Sequence, residues 1–452
     1  HRHPVVVGEI LGATSCAYLR DYLKIDWQND KIEVLKLQSF LNVFEGENLS
    51  LTAVFNQATF EAVERFQIKY KQDILIPWGD KVTTGFVYIL TNKYNSVLKE
   101  SNKVRVLIVP GHEPDFGGTE YKNLKERDLN VELAVYLNNF LKANNHYEVI
   151  LARDKNAWDS DLQNYFTNYW NDIIAFFKQN KTEMIHLVNN GTVTKISDGI
   201  KHNAAREDVA LRLYGINKWV NENNIDIVLH IHFNDYPRND TSLPGKYSGL
   251  SIYVPERQYS NSTTTRVIAD AVFKRLSKYN AISNLQKEEN GVNEDQDLIA
   301  IGSYNTLDAP SMLIEYGYIY EPQFADSKIR EIIFKDLAFQ TYLGIQDFFG
   351  GPNDISVAYD TLMLPYEWNK TLSREIDNSN DVLALQTALS IEGLYPGDGK
   401  TRNECPITGR FGPCTAEAVT KFQKKYGIIK EKGIVGEKTR NLLNGEYSLK
   451  VK

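Results

Sequence analysis

The chain has 452 residues, more than one ordinary hydrophobic core can use and enough for about three domains. Its 42% hydrophobic, 24% charged and 12% aromatic residues exclude wholesale disorder. A net charge of −7 argues against nucleic acid as the main partner, and no run of about 18 apolar residues exists to span a membrane as a helix.

The chain starts at His1, and Val5 to Ala13 is too short and interrupted for a signal sequence, so a leader is expected to have been removed already. Leu37, Gln38 and Leu41 then precede Phe55, Thr59, Ala62, Val63, Phe66, Gln67 and Tyr70. Apolar positions three and four apart predict a small helical unit, with Thr59 as the N-cap of its second helix. Thr84 to Tyr88 continues it.

Val104 to Val109 reads as a buried strand ending at Pro110 and Gly111, and Leu129 to Leu141 as an amphipathic helix. Tyr147 to Leu151, Ile225 to His232, Gly249 to Val254 and Ser311 to Ile314 are further strands. Helices are expected at Val209 to Asn221 and Thr264 to Tyr279. This alternation predicts an α/β domain with a mostly parallel sheet flanked by helices. Trp158 to Gln179 reads as one long helical insertion rich in aromatics, suited to core packing or to walling a groove. The 26 tyrosines leave the same choice open between sugar-facing surfaces and ordinary packing.

Near the C-terminus the N-terminal series recurs as Leu385, Gln386, Leu389, Phe411, Thr415, Ala418, Val419, Phe422, Gln423 and Tyr426. From the phenylalanine onward the spacing is identical, again with Thr415 expected as an N-cap. Thr439, Leu442 and Leu443 predict a third short helix. Cys405 and Cys414 bracket a turn-rich stretch that either closes as a disulfide, as suits an exported protein, or holds two free thiols. Cys16 is left over. From Lys400 to Lys452 twelve Lys or Arg face five Glu, so this end carries +7 and the remainder −14. That balance suits an anionic polymer or a merely solvated face.

Three residues form a candidate metal set. His112 directly follows a strand, where α/β sites usually form. Glu126 opens the next helix, whose dipole keeps a carboxylate ionised. His232 lies in a strand with His230 two residues earlier on the same face. Two imidazoles and a carboxylate suit Zn²⁺ and leave a fourth position for water, whose pKa such a metal lowers to about 7. Glu113, beside His112, points away from it in an extended loop, while His146, His186 and His202 read as surface or structural residues.

The C-terminal copy, with its Leu-Gln pair and Gly409-Arg410-Phe411-Gly412, resembles the peptidoglycan-binding domain appended to bacterial wall hydrolases. The N-terminal copy lacks those glycines. The series Pro-Gly-His at 110–112, Glu126, Leu-Ala-Arg-Asp at 151–154, His-Ile-His-Phe-Asn at 230–234 and Leu-Ile-Glu-Tyr-Gly at 313–317 resembles the zinc-dependent N-acetylmuramoyl-L-alanine amidases. It departs at Val109, Glu113 and Pro114, and His230 stands where that family usually has serine.

The resemblance implies one catalytic zinc on His112, Glu126 and His232, with Glu315 as catalytic carboxylate and His230 as an orienting neighbour or competing ligand. It further implies a secreted or envelope hydrolase of peptidoglycan with units at 1–100, 103–350 and 355–452. A zinc peptidase cutting within the stem peptide and a non-catalytic wall-binding scaffold remain as alternatives. No phosphate-binding GxxxxGK[ST] loop or Gly-x-Ser-x-Gly nucleophile elbow occurs.

Overall fold

The computed structural model describes parts of 34–69, then 103–196, 205–349 except 224 and 239, and 358–449. Cys16, Tyr70, His202, the leader reading and the Thr84 to Tyr88 continuation lie outside the described residues.

The centre is a six-stranded sheet of β1 (Val104–Pro110), β4 (Tyr147–Leu151), β5 (Ile227–Asn234), β6 (Ser251–Pro255), β7 (Val292–Asp295) and β8 (Ser311–Tyr318). Their order is β4-β1-β5-β8-β6-β7. β4, β1, β5 and β8 run parallel, and β6 turns antiparallel to β8 before pairing with β7 in parallel. The predicted mostly parallel α/β sheet is therefore present, with a reversed edge. A separate two-stranded ribbon of β2 (Glu120–Tyr121) and β3 (Leu124–Lys125) lies beside it.

Alternation along β5 sets the layers. Leu229, Ile231 and Phe233 face a core shared with α2 (Glu126–Ala143), α6 (Ser262–Leu276) and α8 (Ser327–Phe349). Val228 faces the opposite core, formed by α3 (Ser160–Asn168), α4 (Trp170–Asn189) and α5 (Glu207–Glu222). The aromatic insertion is thus largely packing material: Phe166 and Ile173 are buried, and Phe177 stacks on Tyr214 at 4.5 Å. The insertion forms two helices. Tyr169 breaks the run with φ −118° and ψ 21°, and Asp159 caps the first helix by accepting from the Asp161 N–H.

β7 and α8 were not visible in the pattern. α8 is buried on most of its circumference, which erases the amphipathic period that betrays a surface helix. A single turn, α7 (Pro322–Ala325), leads into it.

The C-terminal module comprises α9 (Asn380–Ile391), α10 (Pro413–Lys425) and α11 (Glu437–Tyr447). Cys405 and Cys414 are joined as a disulfide. Thr415 is not an N-cap. Pro413 starts the helix after Gly412, and the buried Thr415 hydroxyl instead accepts from Gln386 Nε2 at 3.0 Å. Gln386 Nε2 also donates to the Arg410 carbonyl, and its Oε1 accepts the Thr408 and Gly409 N–H groups. Gln423 repeats the clasp with Thr439, Ile434 and Gly433.

The N-terminal copy uses the same device around its helix α1 (Gln57–Lys69). Gln38 Nε2 donates to Thr59 Oγ1 at 3.0 Å and to the Val54 carbonyl. Asn56, not Thr59, accepts the Thr59 N–H at that helix start.

The module is seated on the sheet domain. Asn403 Nδ2 donates to the Ser248 and Ile282 carbonyls at 3.0 and 2.9 Å. Tyr279 donates to Asp360 at 2.7 Å, and Ile329 lies against Gly409. One continuous apolar core runs from Ile333 and Leu337 through Met363 and Trp368 to Leu385 and Phe422.

Candidate metal centre

The site lies at the C-terminal edge of the parallel strands. β1 ends at Pro110, and the chain turns through Gly111 to His112, whose φ of 69° is left-handed and costly for a residue with a Cβ. The turn is held from beneath. Buried Arg153, in the Leu-Ala-Arg-Asp segment after β4, donates to the carbonyls of Pro110 and Gly111 and, at 3.0 Å, to that of Arg127. Burial pulls its guanidinium down to about 10, against the pull of Glu113 and Asp128. Asn130 on α2 adds a fourth hydrogen bond, to the Gly111 carbonyl.

Glu126 is the first residue of α2, and its carboxylate is buried. Oε2 accepts the Thr119 N–H at 3.0 Å. Oε1 lies 2.8 Å from His112 Nε2 and 3.0 Å from His232 Nδ1. Burial pushes this carboxyl up, but His112 and His232 outweigh it and hold the group well below the usual carboxylate range.

One ligand atom from each of His112, Glu126 and His232 lies within 4.8 Å of the others, the only such group of three among the described residues. The geometry fits a metal better than a closed hydrogen-bond network. His112 Nε2 is buried and, despite its distance from Glu126, makes no aligned hydrogen bond. The nearby backbone is kept bare as well. A Cβ on Gly111 would fall inside the His232 ring, and one on Gly118 would stand 2.9 Å from His112 Cδ2 and 3.1 Å from Glu126 Oε2.

Glu315 is next to His232 across the β5–β8 ladder. Burial, then the charges of Glu126 and Glu288, push its carboxyl well above the ordinary range, and its Oε2 has no hydrogen-bond partner.

His230 lies outside the three-residue group. It is 1% exposed, and burial, reinforced by His232, pulls its imidazole down to about 3, so it is neutral near pH 7. Glu113 turns the other way, accepting from Trp158 Nε1 at 3.0 Å and Arg212 Nε at 2.8 Å. His146 is half-buried beside Tyr147, and His186 lies on α4.

The sequence reading missed one further buried carboxylate, Glu288. Glu288 accepts from the Asn234 side chain at 3.1 Å, from Tyr318 at 3.2 Å and from the hydroxyls of Tyr253 and Ser283. Nothing local in a Gln-Lys-Glu-Glu run marks one glutamate as buried. Arg153, by contrast, was flagged by its motif, without a role.

The chain is similar to several known proteins. The family model described as N-acetylmuramoyl-L-alanine amidase matches residues 106–347, and one described as a putative peptidoglycan binding domain matches 378–443. Among curated proteins, the zinc D-Ala-D-Ala carboxypeptidase of Streptomyces albus G is 38% identical over 76 residues. That stretch is 17% of this chain and only 27% of the relative's length. Similar solved structures include the CwlD amidase from Clostridioides difficile in complex with the GerS lipoprotein, at 17% identity and TM-score 0.36 over 54% of this chain and 98% of that one. An N-acetylmuramoyl-L-alanine amidase from Clostridium difficile 630 gives 18% identity and TM-score 0.34 over 56% and 100%.

Proposed function

The chain belongs to the N-acetylmuramoyl-L-alanine amidase family, and on that premise we propose that it is a zinc-dependent peptidoglycan hydrolase, cutting the amide between N-acetylmuramic acid and the L-alanine of the stem peptide. The observation that carries this reading is the convergence of His112, Glu126 and His232 beside Glu315, whose Oε2 is free of hydrogen bonds. The residue roles, the single zinc and the division into units at 1–100, 103–350 and 355–452 are part of the proposal. So is a secreted or envelope location, which the peptidoglycan-binding match and the Cys405–Cys414 disulfide favour.

His112 Nε2, Glu126 Oε1 and His232 Nδ1 are the atoms placed to hold the metal. Zinc bound there supplies Lewis-acid polarisation of a carbonyl and a water of lowered pKa. Glu315 does the proton work. Its carboxylate takes a proton from the attacking water, and the resulting acid returns it to the alanine nitrogen as the C–N bond breaks, so the amine leaves neutral. His230, two residues before His232 on the same strand and outside the ligand group, would act as an orienting neighbour. The C-terminal module grips the wall, and its net positive charge matches an anionic polymer.

Mass spectrometry of peptidoglycan digests, with and without a chelator, tests the reading. Free glycan chains with intact stem peptides, lost on chelation, are expected. Shortened peptides would establish a peptidase instead, and binding without turnover would establish a scaffold.

A further inference from the structure

After β5 the chain leaves the metal-bearing edge and returns to the sheet only at β6. One cation holds this segment down. The Arg238 side chain is 7% exposed, and its donors converge on several separate pieces of backbone and side chain. Nη2 donates to Asp235 Oδ2 at 3.0 Å and, at 3.5 Å, to the Glu120 carbonyl. Nη1 donates to the carbonyls of Thr241 and Leu243 at 2.8 and 3.0 Å. The guanidinium carbon stands 5.3 Å from the ring centres of both Tyr121 and Tyr320.

Besides the Thr241 and Leu243 carbonyls of its own segment, its partners lie in or directly beside elements that carry site residues. Asp235 comes three residues after His232. Glu120 and Tyr121 form β2, whose mate β3 ends immediately before Glu126. Tyr320 follows β8, the strand of Glu315. A hydrogen-bonded path then runs inward. Asp235 accepts the Thr119 hydroxyl, and the Thr119 N–H donates to Glu126 Oε2 at 3.0 Å.

A ribbon of two residues per strand has little stability of its own, so its position must be imposed by neighbours. A buried guanidinium is costly unless its donors are used, and only a planar fork serves this many acceptors while lying against two rings.

We infer that Arg238 is a positioning residue of the metal centre, locking the ribbon that delivers Glu126 to the strand ends that carry His232 and Glu315. The inference rests on the reading of His112, Glu126 and His232 as a zinc site. Arg238 touches none of these three residues itself.

The test uses full-length protein with Arg238→Gln and Arg238→Lys. Zinc affinity is measured by competition with a chromophoric chelator, and kcat and KM on peptidoglycan. Arg238→Gln should weaken zinc about 10–100-fold, the range found when groups behind metal ligands are lost. Its kcat should fall while KM stays within about twofold, because Arg238 acts on the centre and not on substrate. Arg238→Lys keeps the pairing with Asp235 but not the fork, and should fall between.

Arg238→Gln with wild-type zinc affinity and kcat would overturn the inference, whatever its melting temperature. Should that variant not fold, Thr119→Val removes only the hydroxyl link to Asp235 and must weaken zinc; unchanged affinity there counts equally against the inference. A wild-type protein that takes up no zinc would sink the metal reading and this inference together, and is told apart by its own titration.

Discussion

The C-terminal module and the edge of the sheet that carries His112 and His232 both bury polar side chains, but to opposite ends. In the module, Gln386 and Gln423 use both ends of their amides, donating to a threonine hydroxyl and a carbonyl while accepting backbone N–H groups. At the metal edge, His112 Nε2 and Glu315 Oε2 are buried without a hydrogen-bond partner, and His112 adopts a left-handed backbone. Satisfied buried groups specify a fold, whereas unsatisfied ones cost stability and ask for a ligand. The comparison teaches where in this chain stability was yielded to chemistry.

The sharpest way to break the contrast is His232→Ala. Zinc content and turnover on purified sacculi should both drop to background, while the module continues to sediment with sacculi. Next in size, Glu315→Gln should retain zinc by elemental analysis and lose about 10²–10⁴-fold in kcat. Arg153→Lys leaves the ligands in place but loses the fork that ties the Pro110, Gly111 and Arg127 carbonyls together, and should weaken zinc about 10–100-fold in the chelator competition.

On the other side of the comparison, Gln386→Leu strands several buried groups in the module. It should lower stability by about 1–3 kcal/mol in denaturant unfolding, with kcat on soluble muropeptides unchanged. A fall in kcat there would show that module and centre are energetically one.

The smallest effect concerns buried Asp336 on α8, which accepts from the Leu362 N–H, Thr361 and Gln340. Burial raises its pKa from 3.8 to about 6, against these donors. The folded state therefore holds this proton more tightly than the unfolded chain. Its contribution is full below about pH 4 and is lost as pH rises through about 6. Calorimetry should show wild-type stability declining over that window relative to Asp336→Asn, and a parallel pair of curves would refute it.

Much of the architecture was legible because local pattern and global fold agree. β1, β4 and β5 are mostly apolar segments of strand length, and Gly409 to Gly412 marks the module through its resemblance to a known family. The grouping of His112, Glu126 and His232 was legible through their neighbours in sequence. What stayed hidden depends on distance in sequence and closeness in space. Glu288 gathers donors from residues 234, 253, 283 and 318, and α8 loses its period by being surrounded. Thr59 and Thr415 misled because a threonine at a helix start satisfies a capping rule, while their hydroxyls are occupied by glutamines 21 and 29 residues upstream. The left-handed turn at His112 has no signature either, since a histidine does not announce its φ.

The seating of the module on the sheet domain has a consequence for how the polymer is cut. A module on a slack tether would sweep every distance its tether allows, and cleavage would scatter around each point of attachment. Here Asn403 is bonded to the Ser248 and Ile282 carbonyls, and Tyr279 to Asp360, so grip and blade keep one offset and one orientation. On the proposed reading, each hold on the wall would present the same stretch of strand to Glu315, and the spacing of cuts would follow from that fixed offset.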